Sequence, residues 1–299
     1  MTIIDHSIVE ALGPKPSWLP DAIYHQLHIA HHGTKFCNVL GNNETTSTGL
    51  LPRPAPLIQM FEGELRAREV RFASVWQTNE YIFFLATRLQ LYSFALTPAG
   101  LDATDDLLSA EKYNEFFAHA YLTAMSLLQS GLQSSAELPY WPEHQYRYLL
   151  DAVLFLLKLI ECSCEFVDEA AARNVISQIW QLLRTQSKAE DDRMSRFCAI
   201  IEYLSRNRSN KGSPSVKVRS RVAGNLTIDS AWRARDRFSE TVKAQRPADY
   251  TSAAALERSM RSDGQCSLPF LRDIGDWDSF FENLALQGGM DDEGLLVGS

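Results

Sequence analysis

Residues 79–96, NEYIFFLATRLQLYSFAL, restrict the fold more than any other stretch of the chain. Phe84, Ala86, Leu89, Leu91, Phe94 and Leu96 leave almost no polar face, and Glu80 and Arg88 are the charged groups among them. A helix that is apolar nearly all round belongs at the centre of a domain. The run is about as long as a bilayer span, but Thr87, Arg88, Gln90 and Ser93 lie inside it, and an arginine at the bilayer centre is costly. It is therefore expected to be the core helix of a soluble helical domain.

The flanking sequence supports the same class. Residues 144–161 form a second nearly all-apolar run and predict another central helix. Phe116, Phe117, Ala120, Leu122, Ala124, Leu127 and Leu128 recur at helical spacing within a helix predicted over 110–129. A helix is also predicted over 18–30, with Ser17 as its cap and Pro20 in its first turn. In the helix predicted over 57–76, Glu62–Arg66 and Glu64–Arg68 are spaced as i,i+4 pairs, which reads as an exposed side. Asp168 is a candidate cap for a helix through Leu183, and Asp191 or Asp192 for one through Ser205. Residues 38–56, 131–142 and 207–215 read as loops, the first as a candidate disordered insertion, and 216–244 as a long basic helix. Strand signals are nearly absent: no period-two alternation is sustained, and no Asn-Gly or Asp-Gly hairpin lies between β-branched runs. The expected fold is all-α, with about seven to nine helices and a disordered acidic C-terminal tail.

Charge is unevenly spread. The chain of 299 residues carries about −8 overall, which argues against whole-molecule attraction to nucleic acid or anionic lipid. Residues 206–246 hold eleven Lys or Arg against three acids, whereas 262–299 hold eight acids against the single basic Arg272. Arg219, Arg221, Arg233, Arg235 and Arg237 form a candidate basic surface for phosphate contact or nuclear import. The competing reading is a solvated helix face anchored to the core by Leu226, Ile228, Trp232 and Phe238. In the acidic segment, Phe270, Trp277, Phe280, Phe281 and Leu284 lie between the acids, a mixture typical of disordered activation segments that fold onto a coactivator groove.

Two patches carry a family likeness. ELRAREVRFASVWQTNEYIFFLATRLQLYSFAL, residues 64–96, and SRVAGNLTIDSAWRARDRF, residues 220–238, resemble the region that follows the DNA-binding module in the fungal binuclear-zinc-cluster (Zn2Cys6) transcription factors. With the spacing between them they cover about three-fifths of the chain. The resemblance implies a helical regulatory domain over 18–246, after an N-terminal segment 1–17, then a linker over 247–261 and an activation tail over 262–299. It implies nuclear localisation and recruitment of a coactivator or mediator-type protein, and the charge contrast between the basic helix and the acidic tail adds the expectation that the helical domain masks the tail under control of a small metabolite. A homodimer is a further expectation, and no membrane partner is expected.

The zinc cluster that defines that family is not in this sequence. It needs six cysteines in two CxxC-type halves, whereas Cys37, Cys162, Cys164, Cys198 and Cys266 include no CxxC. Cys162 and Cys164, two positions apart, point in different directions on a helix and cannot grip one metal there. An odd cysteine count without a secretory start reads as reduced intracellular thiols. No cofactor is expected, zinc entering only with an N-terminal cluster. DNA would be reached through a missing module or a partner, so the chain reads as a truncated gene product or as a regulator acting without the module.

Catalytic signatures are sparse, and the chain is not expected to be an enzyme. GxSxG, HExxH, GxxxxGKS and GxGxxG are absent from the sequence. His25, His28 and His32 share a helix face at i, i+3 and i+7, a metal-capable spacing. With His31 nearby, the competing reading is a polar surface stripe. Asp102, Asp105, Asp106, Glu190, Asp191 and Asp192 raise the alternative of a magnesium-dependent helical enzyme of terpene-synthase type. Their places in a loop and at a helix start favour loop acids and caps. A helical adaptor without a transcriptional role is the remaining alternative.

Overall fold

In the computed structural model of the chain the described residues are 13–42, 49–51, 53–96, 107–161, 164–189 and 192–206. They form seven α-helices and, among the described residues, no strand. These are α1 (Asp21–Gly41), α2 (Ala55–Phe72), α3 (Thr78–Ser93), α4 (Leu107–Gln133), α5 (Glu143–Glu161), α6 (Glu169–Gln186) and α7 (Arg193–Arg206). Short 3-10 turns follow α3 at Phe94–Leu96 and precede α5 at Leu138–Tyr140. The all-α class is as the periodicity predicts. The basic residues 216–244, the linker 247–261 and the acidic segment 262–299 lie outside the described residues.

α3 is the hub. It packs against α1, α2, α4 and α5, most extensively against α4. Ile82, Phe84, Leu85, Leu89, Leu91 and Tyr92 are buried on every side of it, which follows from a sequence with no continuous polar face. Its first turn is closed by Glu80, whose carboxylate accepts from the Gln77 amide at 3.1 Å. α5 is the second central helix: Leu149 to Leu156 are buried apart from Asp151, and it touches α3, α4, α6 and α7. α4 spans the two halves, reaching α3 on one side and α5 and α6 on the other.

Several boundaries depart from the sequence-based expectation. α1 begins at Asp21, after an extended Pro20, and Ser17 does not cap it. The helix then continues to Gly41, through part of the stretch expected to be a loop, because Phe36 and Leu40 extend the buried stripe of Tyr24, His25, His28, Ile29 and His32. Beyond it, Leu50 is buried in the core and the Leu51 amide donates to the Leu40 carbonyl at 3.1 Å. α2 stops at Phe72 rather than at residue 76, and α4 runs on to Gln133 through the predicted break at Gly131.

At Gly131 α4 lies tightly against α5. A Cβ there would meet Leu149 Cδ2 at 2.6 Å, whereas a Cβ on Gly63 in α2 would meet nothing within 4 Å. The same substitution therefore has opposite signs at the two sites. Gly63→Ala is expected to stabilise by roughly 0.5–1 kcal/mol through helix propensity and a less flexible unfolded chain. Gly131→Ala is expected to destabilise by about 1–2 kcal/mol, since Leu149 is fully buried and overpacking outweighs the propensity gain. Urea unfolding of the two variants checks this, and shifts of the same sign would contradict it.

The C-terminal helices are capped as the sequence suggests. Asp168 accepts from the Ala171 amide at 2.9 Å and starts α6. Asp192 accepts from the Ser195 amide at 2.8 Å and starts α7. Among the described residues, no helix is long and apolar enough to cross a membrane.

Candidate functional site

Three places in the fold concentrate polar or ionisable groups or open space: the α1–α2 seam, the α2–α3 seam, and the face made by α5, α6 and α7.

The histidines of α1 face α2. His25, His28 and His32 are 6, 5 and 8% exposed, so the shared face is buried, not the solvent-facing stripe that was the competing sequence reading. The His25 and His28 rings lie 5.1 and 6.0 Å from the ring of Phe72, and His28 stands edge-on to Tyr24 at 4.5 Å. His32 bridges two charges of α2. Arg68 Nε donates to His32 Nε2 at 3.1 Å, so that nitrogen is the acceptor and the ring proton sits on Nδ1, 3.2 Å from Glu64 Oε2. Lys35 donates to both Glu64 oxygens at 2.8 and 3.0 Å. The α2 charges expected to pair along their own helix thus reach across to α1 instead. Among the described residues, no group of three or more His, Cys, Asp or Glu is arranged to hold a metal ion.

This seam is built for neutral imidazoles. Burial, and then the Arg68 guanidinium, lower His28 to about 4, and the same two causes lower His32. The unfolded chain therefore binds protons that the fold refuses, and stability falls as pH drops from about 6.5 towards 4. Full expression of the His28 shift corresponds to about 3 kcal/mol. His28→Leu removes this contribution and also a buried, unpartnered Nε2. Its melting temperature is expected to fall less than that of the unaltered chain between pH 6.5 and 4. Parallel melting curves across that window would exclude the effect.

At the α2–α3 seam, Arg88 Nε donates to Glu62 Oε2 at 3.2 Å and to the Tyr92 hydroxyl at 3.3 Å. Its Nη2 meets Glu62 Oε1, and its Nη1 reaches Glu69 at 3.4 Å. The Arg88 and Glu62 side chains are 14 and 11% exposed. Burial opposes the Arg88 charge, but the hydrogen bond to Glu62 and the neighbouring charges outweigh it and raise its pKa. Burial, and then the Glu62 charge, push Tyr92 up. Glu62 was expected on an exposed side with Arg66. It is buried against α3 instead, where Arg88 holds both of its oxygens.

The third place is open space. A groove of about 290 Å³ runs between α5, α6 and α7. Its apolar walls are Leu157, Ile176, Trp180 and Ile201, and its rim includes Arg173 and Glu202. Reciprocal bonds hold the Trp180 side: Trp180 Nε1 donates to the Cys198 carbonyl at 3.2 Å, and the Cys198 thiol lies 3.7 Å from the Trp180 carbonyl. Arg173 is engaged by Glu169 at 2.8 Å. Ser205, in the last turn of α7, lies at the groove, so the chain leaves the described helices beside it. The volume is near the lower bound for small-molecule pockets, and the groove draws on three helices that no local sequence motif links.

The remaining candidates divide simply. Cys37 and Cys198 are thiols that burial pushes up to about 12, the behaviour of packing groups rather than nucleophiles. Cys164 is partly buried against the core. Asp192 also accepts from the Ala189 amide and the Ser187 hydroxyl at 3.1 Å, so its oxygens are occupied in capping. Outside the described residues lie Cys162, Cys266, Asp102, Asp105, Asp106, Glu190 and Asp191. So do the basic residues Arg219, Arg221, Arg233, Arg235 and Arg237, and the tail residues Phe270, Trp277, Phe280, Phe281 and Leu284. Comparison with family models, with curated proteins and with solved structures found no match.

Proposed function

We propose that this chain is a transcription regulator: a helical body joined to an acidic-aromatic C-terminal segment that recruits a coactivator or mediator-type protein in the nucleus. The observation that carries the reading is the composition of 262–299, where Phe270, Trp277, Phe280, Phe281 and Leu284 are set among eight acids. Acids keep such a segment solvated until a partner groove buries the aromatics. The likeness of 64–96 and 220–238 to zinc-cluster regulators adds support, as does a body in which the buried Arg88 and Glu62 are engaged with each other. DNA is reached through another module or a partner. The contrast between the basic 206–246 and the acidic 262–299 supplies a means of masking the tail.

Tethering the full chain to a reporter through an unrelated DNA-binding module tests the proposal. Output is expected, and removal of 262–299 silences it. Equal output without those residues, at equal protein level, would refute recruitment by the tail.

A further inference from the structure

We infer that residues 21–32, the N-terminal half of α1, form an acid-released latch: when the histidine face takes up protons this half leaves α2, while 34–41 and the core around α3 and α5 stay folded. The inference does not depend on a role in transcription.

The first ground is what seals each half of the helix. In 21–32 the buried residues are Tyr24, His25, His28, Ile29 and His32, so three of the five are imidazoles. Beyond Gly33 the buried residues are Phe36 and Leu40, both fully enclosed in the core, and the Leu51 amide donates to the Leu40 carbonyl. Apolar burial holds at any pH, whereas a buried imidazole is at ease only as the neutral ring. Gly33, between the two halves, is a poor helix former and a ready place for them to part.

The second ground is that the seam has no acceptors to spare. His25 Nδ1 and His28 Nε2 are buried without a hydrogen-bond partner, and His32 Nε2 accepts from Arg68. An imidazolium donates from both nitrogens. Protonation would therefore leave a buried N–H facing no acceptor at His25 and at His28, and would set two donors against each other at His32.

The third ground is charge. Facing His28 and His32, α2 places the cations Arg68 and Arg71, and the Arg71 guanidinium already lies 4.9 Å from the centroid of the Phe72 ring. Glu64 favours a charged His32, but Lys35 holds both of its oxygens. On α1 itself the His31 ring is 5.9 Å from that of His32, and Asp21, which attracts His25, is exposed and paired with Lys15. The other charges of α2 and α3 are turned elsewhere: Arg66 is exposed, Glu62 and Glu69 meet Arg88, and Glu80 closes the first turn of α3. The released half binds protons that the docked half refuses. Docking is thus complete above about 6.5 and is lost as pH falls towards 4.

Hydrogen exchange of the full chain, read by mass spectrometry and corrected for the intrinsic pH dependence of exchange, tests this. Protection of amides 25–32 should fall roughly thirtyfold or more between about pH 6.5 and 4.5, while amides 149–156 of α5 keep theirs. His32→Gln keeps an acceptor for Arg68 and a donor for Glu64 without a titrating ring. Combined with His28→Leu, it should reduce the loss to a few-fold. Protection of 25–32 that ignores pH would overturn the inference. So would loss in α1 and α5 at the same pH, which is global unfolding, or a double variant that loses as much as the unaltered chain.

Discussion

Replacing Arg88 with methionine lowers stability by about 3–5 kcal/mol, the cost of leaving a buried carboxylate without its partner. Glu62 is the group left behind. It is 8% exposed, and Arg88 holds both of its oxygens. Glu69, the other acid that Arg88 reaches, is more exposed and regains water. For a helical body of this size the melting temperature should fall on the order of 10 °C. The charge pair itself is not the source of stability: replacing Arg88 with methionine and Glu62 with leucine together should recover most of the loss, because neither desolvated charge then remains. Urea denaturation of the single and double variants decides the point. A single variant within 1 kcal/mol of the unaltered chain, or a double variant as weak as the single, would show that the seam is not closed by this pair.

The largest functional effect is expected in the acidic segment. Changing Trp277, Phe280 and Phe281 together to alanine should cut transcriptional output at least tenfold. Aromatic anchors carry most of the free energy in small interfaces, at about 2 kcal/mol or more each, where 1.4 kcal/mol is a tenfold change in affinity. Neutralising Asp276, Asp278 and Glu282 should act differently. Charges outside a buried contact mainly set encounter rate and salt dependence, so output should drop only a few-fold. An output that depends on the acids and ignores the aromatics would replace the anchored-helix picture with nonspecific electrostatics.

The parts of the fold legible in the sequence were those whose residues speak for themselves. An apolar circumference placed residues 79–96 and 144–161 at the centre, and ordinary capping chemistry announced the start of α6 at Asp168 and that of α7 at Asp191 or Asp192, of which Asp192 is the cap. Pairings between helices were not legible. Glu62 with Arg66 and Glu64 with Arg68 satisfy the i,i+4 rule, and nothing in their spacing reveals that α1 and α3 offer His32, Lys35 and Arg88. The histidine stripe was visible as a stripe, but its direction was not, because histidine suits a wet surface as well as a tight seam against Phe72. Gly131 reads as a break until Leu149 is seen beside it. The groove has no local signature at all, since Leu157, Trp180 and Ile201 meet only in three dimensions.

The most direct test of the proposed function is reporter output from residues 262–299 alone, fused to an unrelated DNA-binding module, beside the same fusion with Trp277, Phe280 and Phe281 changed to alanine. Strong activation that the triple change abolishes is the predicted result. A fusion that is expressed and nuclear yet silent would contradict recruitment by the tail.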